Sequence, residues 1–240
     1  MRALATLGAL CALGAVLATT LGTRPAAAQP KAHATRALLA GIDHYRDVTW
    51  HWQRVMGLPT TRTAMSARTS PDLAYRRWVL RLWRRRAAHA QARASRWLVR
   101  RTQAYRRTVA YWQDVMGVRR TPTRHTAAAS ESLAYRAWVY RLWRNRAQTI
   151  LRKAKNPPYE SQWLCIHRYE GSWQDSGAPY WGGLQMSLTF QQRYGGFLLQ
   201  KKGTADHWTP LEQMWVAARA VRSGRGFYPW PRTARMCGLI

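Results

Sequence analysis

The sequence predicts an all-α protein with at most a small β-hairpin, and three observations predict it. Apolar side chains recur at i, i+3, i+4, i+7 and i+8, the period of an amphipathic helix. A long block of sequence returns after 60 residues, so one helical unit is present twice. A single short stretch, two adjacent glycines between aromatics, reads as a hairpin instead.

Composition narrows the partners. The 240 residues include 39 Lys or Arg and 10 Asp or Glu, a net charge of +29 with His neutral. Such a chain seeks polyanions: nucleic acid, anionic lipid or an anionic cell wall. Apolar residues make up 47% of it, which excludes a disordered polycation. Fourteen Trp and eleven Tyr stand against three Phe. Trp and Tyr carry a polar handle and suit faces that are partly wet.

Residues 1–28 read as a secretory signal peptide. Arg2 supplies the positive end, residues 3–21 the apolar run, and Ala26-Ala27-Ala28 a small-residue cleavage site. The alternative is a retained anchor, for which the run is short and rich in Ala and Gly. Export implies a secreted, wall-associated protein. Cys11 leaves with the signal, and Cys165 and Cys237 remain. In an oxidising compartment the simplest reading is one disulfide, closing a loop of roughly 70 residues worth about 4 kcal/mol. Two free thiols, or a cysteine nucleophile kept reduced, are the other readings.

Residues 29–155 hold the repeat, in copies of about 37–96 and 97–156. WHWQRVMG from Trp50 to Gly57 returns as AYWQDVMG from Ala110 to Gly117. SPDLAYRRWVLRLWRRRA from Ser70 to Ala87 returns as SESLAYRAWVYRLWRNRA from Ser130 to Ala147. Each copy reads as two helices around a loop. Tyr75, Trp78, Val79, Leu82 and Trp83 form one apolar stripe; Tyr135, Trp138, Val139, Leu142 and Trp143 form its copy. Ser70 and Ser130 are candidate N-caps, and Pro71 fits a first helical position. Gly57 and Gly117 are natural helix stops. No Gly or Pro lies between Pro71 and Gly117. One helix of up to roughly 69 Å can join the copies, or a kink near Ser95 can divide it.

Asn156-Pro157-Pro158 is the clearest boundary, because Pro-Pro cannot continue a helix. Residues 156–160 read as a linker. Thirty basic and five acidic side chains lie before residue 156, and nine and five after it. The repeats are therefore the polycation. Their Arg-rich faces are expected to hold an anionic wall polymer or an anionic membrane surface. Export argues against nucleic acid.

Residues 161–240 are where a reaction can sit. A short helix from Ser161 to Tyr169 puts Trp163, Ile166 and Glu170 on one face, and Gly171 stops it. A carboxyl at the end of an apolar face is the kind of group that keeps a proton near neutrality, as a general acid must. Tyr180-Trp181-Gly182-Gly183-Leu184-Gln185-Met186 follows a turn-rich stretch. Its aromatics offer flat faces to sugar rings, its glycines allow close backbone approach, and Gln185 can bond a hydroxyl or acetamido group. His167 and His207 have no partner spacing for a metal. Trp208 and Trp215 are expected in the core, under a helix from Leu211 to Val221.

The order of Trp163-Leu164-Cys165-Ile166…Glu170, YWGGLQM, Tyr194-Gly195-Gly196 and Phe227-Tyr228-Pro229-Trp230-Pro231…Cys237 resembles the transglycosylase-like domain of actinobacterial resuscitation-promoting factors. The resemblance covers about residues 160–240. It implies a compact lysozyme-like fold, Glu170 as the catalytic acid, and Gln185, Tyr180, Trp181, Gly182, Gly183 and Trp230 along a glycan cleft. It also implies a Cys165–Cys237 pair and no cofactor. Glu170-Gly171-Ser172 stands where that family has Glu-Ser-Gly, and six residues separate Trp230 from Cys237.

The implied activity is cleavage of the MurNAc-GlcNAc β-1,4 bond of peptidoglycan, by a lytic transglycosylase or a muramidase. Most glycosidases need two carboxylates, and no second one here matches a family motif. Asp175 is the nearest candidate. The one-acid route has Glu170 protonate the glycosidic oxygen and then take the proton of the sugar's 6-hydroxyl. The rival expectation is a non-catalytic glycan-binding or structural envelope protein.

Overall fold

A computed structural model describes residues 28–62, 69–122 and 132–240. The expected signal peptide, apart from Ala28, and the Ser130 cap lie outside these residues. Among the described residues the fold is all-α with one two-stranded hairpin. The helices are α1 (Ala28–Val55), α2 (Leu73–Met116), α3 (Leu133–Ala154) and α4 (Glu160–Glu170). The hairpin strands are β1 (Tyr180–Trp181) and β2 (Met186–Ser187). α5 (Leu188–Lys202), α6 (Pro210–Ala220) and α7 (Pro231–Met236) follow.

The ends of the repeat helices follow local chemistry. Gly57 and Gly117 both take positive φ, 71° and 61°. Leu58 N–H returns to the Gln53 carbonyl and Val118 N–H to the Gln113 carbonyl, the same Schellman closure twice. α2 is one unbroken helix of 44 residues, with no kink at Ser95. Its start is capped by Asp72, whose Oδ1 accepts the Ala74 N–H at 2.7 Å. Ser70 sits two residues before it and accepts the Asp72 N–H. Sixty residues on, Ser132 caps α3 by accepting the Tyr135 N–H at 3.1 Å. The cap thus falls at the same place in both copies, two residues after the positions expected from sequence, with Pro71 in one copy and Glu131 in the other.

The chain divides into two compact units, one running to Trp50 and including Thr60–Ala87, the other comprising His51–Pro59 and Ala88–Ile240. Two of the divisions fall inside α1 and α2, and the third between Pro59 and Thr60 in the loop after α1. In the first unit Ile42, Val79 and Trp83 form the core. In the second, Val109, Val139, Trp143 and Ala147 do the equivalent work.

Both copies depart from the predicted stripe in the same way. Trp83 and Trp143 are buried, but Trp78 and Trp138 stay 47% and 43% exposed. Trp78 stacks on Tyr75 and Trp138 lies tilted against Tyr135, at 5.9 and 5.7 Å between ring centroids. Arg76 and Arg136 are buried instead, at 8% exposure each. Arg76 donates to Thr35 Oγ1, and Arg136 donates to Ser95 Oγ, the position 60 residues on. The helical wheel gives the reason: positions 76, 79, 83 and 87 share an arc of about 80°, and position 78 lies about 100° outside it.

The Pro-Pro turn is anchored on both sides. Pro157 is buried. Asn156 Nδ2 donates to the Arg152 carbonyl and Trp163 Nε1 to the Pro158 carbonyl, each at 2.7 Å. One hydrophobic cluster runs from Val115, Met116 and Ala154 to Trp163, Ile166, Trp208, Trp215 and Trp230. Residues 97–156 and 161–240 therefore share a core, which the composition shift at residue 156 did not suggest.

Candidate active site

Glu170 is the last residue of α4, and its position follows from that helix. Trp163 and Ile166 on the same face are fully buried. Gly171, at φ 131°, ends the helix in a geometry that other residues rarely adopt. Glu170 emerges half-buried at the rim of the core. Its Oε1 accepts the Thr233 hydroxyl at 2.6 Å. Oε2 makes no hydrogen bond among the described residues, and no ion pair joins Glu170 to the neighbouring Arg168. One oxygen of the carboxyl group is thus fixed and the other is left for a ligand.

Cys165 on α4 is bonded to Cys237, just beyond α7, with Cα atoms 6.1 Å apart. The bridge ties the helix carrying Glu170 to the helix carrying Thr233. α7 in turn follows directly on Trp230, whose indole packs on Trp163 at 5.2 Å and donates to the Leu184 carbonyl.

The hairpin places the other candidates. Trp181 pairs with Met186, and Tyr180 with Ser187. Tyr180 is exposed, whereas Trp181 is half-buried against the core. Gln185 takes φ 46° and turns its amide inward: Nε2 donates to Asp175 Oδ2 at 2.7 Å and to the Gly182 carbonyl at 3.2 Å. Asp175 Oδ1 accepts the Gly177 N–H at 3.0 Å. Both oxygens of Asp175 are therefore engaged in shaping the loop. A Cβ on Gly171 would lie 3.4 Å from Asp175 Oδ2 and 3.8 Å from Gln185 Nε2. Glu170, Asp175 and Gln185 thus gather around one glycine.

Gly182 and Gly183 differ from their expected role. Both are buried. A Cβ on Gly182 would come within 2.5 Å of the Gln213 side chain, and one on Gly183 within 2.5 Å of His167 and 2.8 Å of Trp173. The space the glycines leave is filled by the protein's own side chains. Gln213, fully buried, uses Nε2 to hold the carbonyls of Trp173 and Ala205, both at 2.8 Å.

A cleft of about 280 Å³ opens beside the hairpin. Tyr180, Gln185, Phe190 and Trp230 line it together with Ser187, Thr189, Arg193 and Arg225. Of the expected glycan-contacting residues it collects Tyr180, Gln185 and Trp230. Trp181, Gly182 and Gly183 do not line it. Glu170 does not line it either, but is joined to its wall through Thr233, whose hydroxyl also lies 3.5 Å from the Trp230 carbonyl. Arg193 and Arg225 were not foreseen. Each is one arginine in a chain of many, and only the fold brings the two together beside Tyr194. Burial pushes the Tyr194 phenol up, but hydrogen bonds from Ser223 and Arg225 and the charges of Arg193 and Arg225 outweigh it and hold the phenol below its ordinary value. Thr233 was also missed, although its place three residues after Trp230, on the same helical turn, was legible.

No family model matches the chain, and neither the curated proteins nor the solved structures compared with it contain a match.

Proposed function

We propose that this chain is a secreted, cell-wall-associated enzyme that cleaves peptidoglycan at the MurNAc-GlcNAc β-1,4 bond, with Glu170 as general acid and base. The observation that carries this reading is Glu170 itself: an acid at the rim of an aromatic core, one oxygen held by Thr233, the other unpartnered among the described residues. It stands next to a cleft that offers an exposed Tyr180, Trp230 and the polar edges of Gln185, Ser187 and Thr189. The engagement of both Asp175 oxygens supports a one-acid route. Glu170 protonates the glycosidic oxygen, then as carboxylate takes the proton of the 6-hydroxyl, which closes a 1,6-anhydro ring. The basic repeats hold the enzyme to anionic wall polymer or anionic lipid.

A second reading is a non-catalytic glycan-binding or structural envelope protein. The observation that favours it is that Glu170 lies outside the cleft lining. One experiment separates the two. Residues 29–240 and the Glu170→Gln variant are incubated with purified peptidoglycan, and released fragments are read by mass spectrometry. Anhydro-muramyl products from the wild type alone are expected. Reducing ends from the wild type alone would mean hydrolysis and a second base. No release, with glycan still bound, would establish the binding protein.

A further inference from the structure

A second recess lies against the cleft and shares Arg193 with it. It measures about 480 Å³ and is built from both the end of α2 and the flank of α5 and α6. Gln113, Asp114, Gly117 and Arg120 come from the second repeat; Arg193, Gly196 and Arg219 come from the C-terminal segment. Three guanidinium groups face it against one carboxylate. Arg120 is spent on Asp114, with bonds of 2.7 and 2.6 Å. Arg193 and Arg219 are not neutralised by any ion pair among the described residues.

Arg219 is the informative one. It is half-buried, and its only hydrogen bond among the described residues runs from Nη1 to the Asp114 carbonyl at 3.4 Å. A guanidinium has five donors in a planar fork, so most of Arg219's capacity is unused in a place partly shielded from water. Burial first, and the charge of Arg222 second, push it below its ordinary pKa, against the smaller opposing pull of the Asp114 carboxylate. Gly117 leaves the room that Arg219 occupies, since a Cβ there would lie 2.5 Å from its Nε. A Cβ on Gly196 would meet nothing within 4 Å, so that edge of the recess is open.

We propose that this recess binds the free carboxylate of a peptide branch on the glycan, gripped by Arg219 and Arg193 while the sugar occupies the adjoining cleft. The assignment rests on the peptidoglycan reading for the identity of the branch. A planar fork matches a carboxylate bidentately, whereas a lone ammonium would not. The recess exists only because the second repeat packs on the C-terminal segment, so the repeat contributes to substrate recognition as well as to retention at the wall.

The test uses the full mature chain carrying Glu170→Gln, so that binding is read without turnover. The probes are an acetylated alanyl dipeptide with a free C-terminal carboxylate, the same peptide as its amide, and inorganic phosphate. NMR titration follows the arginine Nε–H resonances. The free acid is expected to move the Arg219 signal and to bind about tenfold more tightly than the amide, the range of one charge-assisted pair. Arg219→Met and Arg193→Gln should erase that preference. Gly196→Leu should weaken the free acid with both arginines intact, by filling the recess. Equal binding of acid and amide, or phosphate binding as well as the acid, would overturn the assignment. So would an unchanged preference in the Gly196→Leu and Arg193→Gln variants, which keep the test decisive if Arg219→Met fails to fold. Glycan release by the wild type is scored separately, so loss of the enzyme reading leaves the binding result standing.

Discussion

Glu170 and Thr233 are 63 positions apart, yet share one hydrogen bond. On the proposed mechanism Thr233 is a positioning residue, holding one oxygen of Glu170 and leaving the other toward the ligand. Thr233→Val is expected to lower the rate of glycan release about tenfold through kcat with little change in KM, since bonds to charged groups are worth about 1.5–3 kcal/mol. Thr233→Ser should restore it. Steady-state rates on soluble glycan fragments decide the point. Gly182 gives a stability prediction. Its positive φ of 74° and the 2.5 Å approach of Gln213 leave no room for a methyl group. Gly182→Ala should cost about 1–3 kcal/mol in urea denaturation, by strain and overpacking. Neither effect was legible from Gly-Gly alone, which reads equally as a hairpin, a substrate contact or a packing device. Glu170 was legible, because a carboxyl closing the Trp163–Ile166 face must emerge at the core's edge.

The elements carry a second charge network. α6 begins with a capping box: Thr209 Oγ1 accepts the Glu212 N–H, and Glu212 Oε2 accepts the Thr209 N–H at 2.8 Å. The same carboxylate, only 3% exposed, receives Lys202 from α5 at 2.7 and 2.8 Å and the Tyr111 hydroxyl from α2. Burial alone would raise Glu212, but the hydrogen bonds of Lys202, Tyr111 and the Thr209 backbone and the Lys202 charge prevail, holding it below its ordinary 4.5. Tyr111 is pushed up strongly, first by burial and then by its bond to Glu212. A depressed carboxylate stabilises the fold above the unfolded-state pKa and loses that contribution as pH falls through its folded value. Acidification below 4.5 should therefore erode stability. Lys202→Met should cost about 3–5 kcal/mol at neutral pH, because it strands a buried charge. The gap to wild type should narrow on acidification, as Glu212 takes up a proton. Urea curves across that range test the sign. Thr209 with Glu212 three residues on is a legible cap; that Lys202 and Tyr111 also meet there is a property of three helices, not of one.

Across the molecule, the disulfide and the shared core make one prediction each. Breaking Cys165–Cys237, 72 positions apart, should cost about 4 kcal/mol, the loop entropy restored to the unfolded chain. On the proposed mechanism it should also slow glycan release, by loosening α4 against α7. Cutting the chain before residue 156 removes Tyr111, Val115, Met116 and Ala154 from the core, and with Ala154 the carbonyl that accepts Trp215 Nε1 at 2.9 Å. Residues 156–240 alone should lack the full chain's cooperative thermal transition, since each large apolar side chain lost is worth about 1.5–3 kcal/mol. An identical transition would mean that the repeat merely adjoins a self-sufficient segment.

The helical class, the repeat of 60 residues, the helix stops at Gly57 and Gly117, a disulfide as the simplest state of the two cysteines and the rim position of Glu170 were all readable in the sequence. Those features are local or periodic: a 3.6-residue period, a glycine where φ must be positive, two cysteines with no third beside them after residue 11. Tertiary structure alone decided that Arg76 and Arg136 turn inward while Trp78 and Trp138 stay out, because a stripe's breadth is readable but its rotation depends on what packs against it. It also decided that the second repeat shares its core with the C-terminal segment, and that Arg193 and Arg219 come to line one recess. In a chain with 39 cations, charge marks the partner's sign but not which side chains meet it. That selection is made by the burial and pairing that only contacts distant in sequence create.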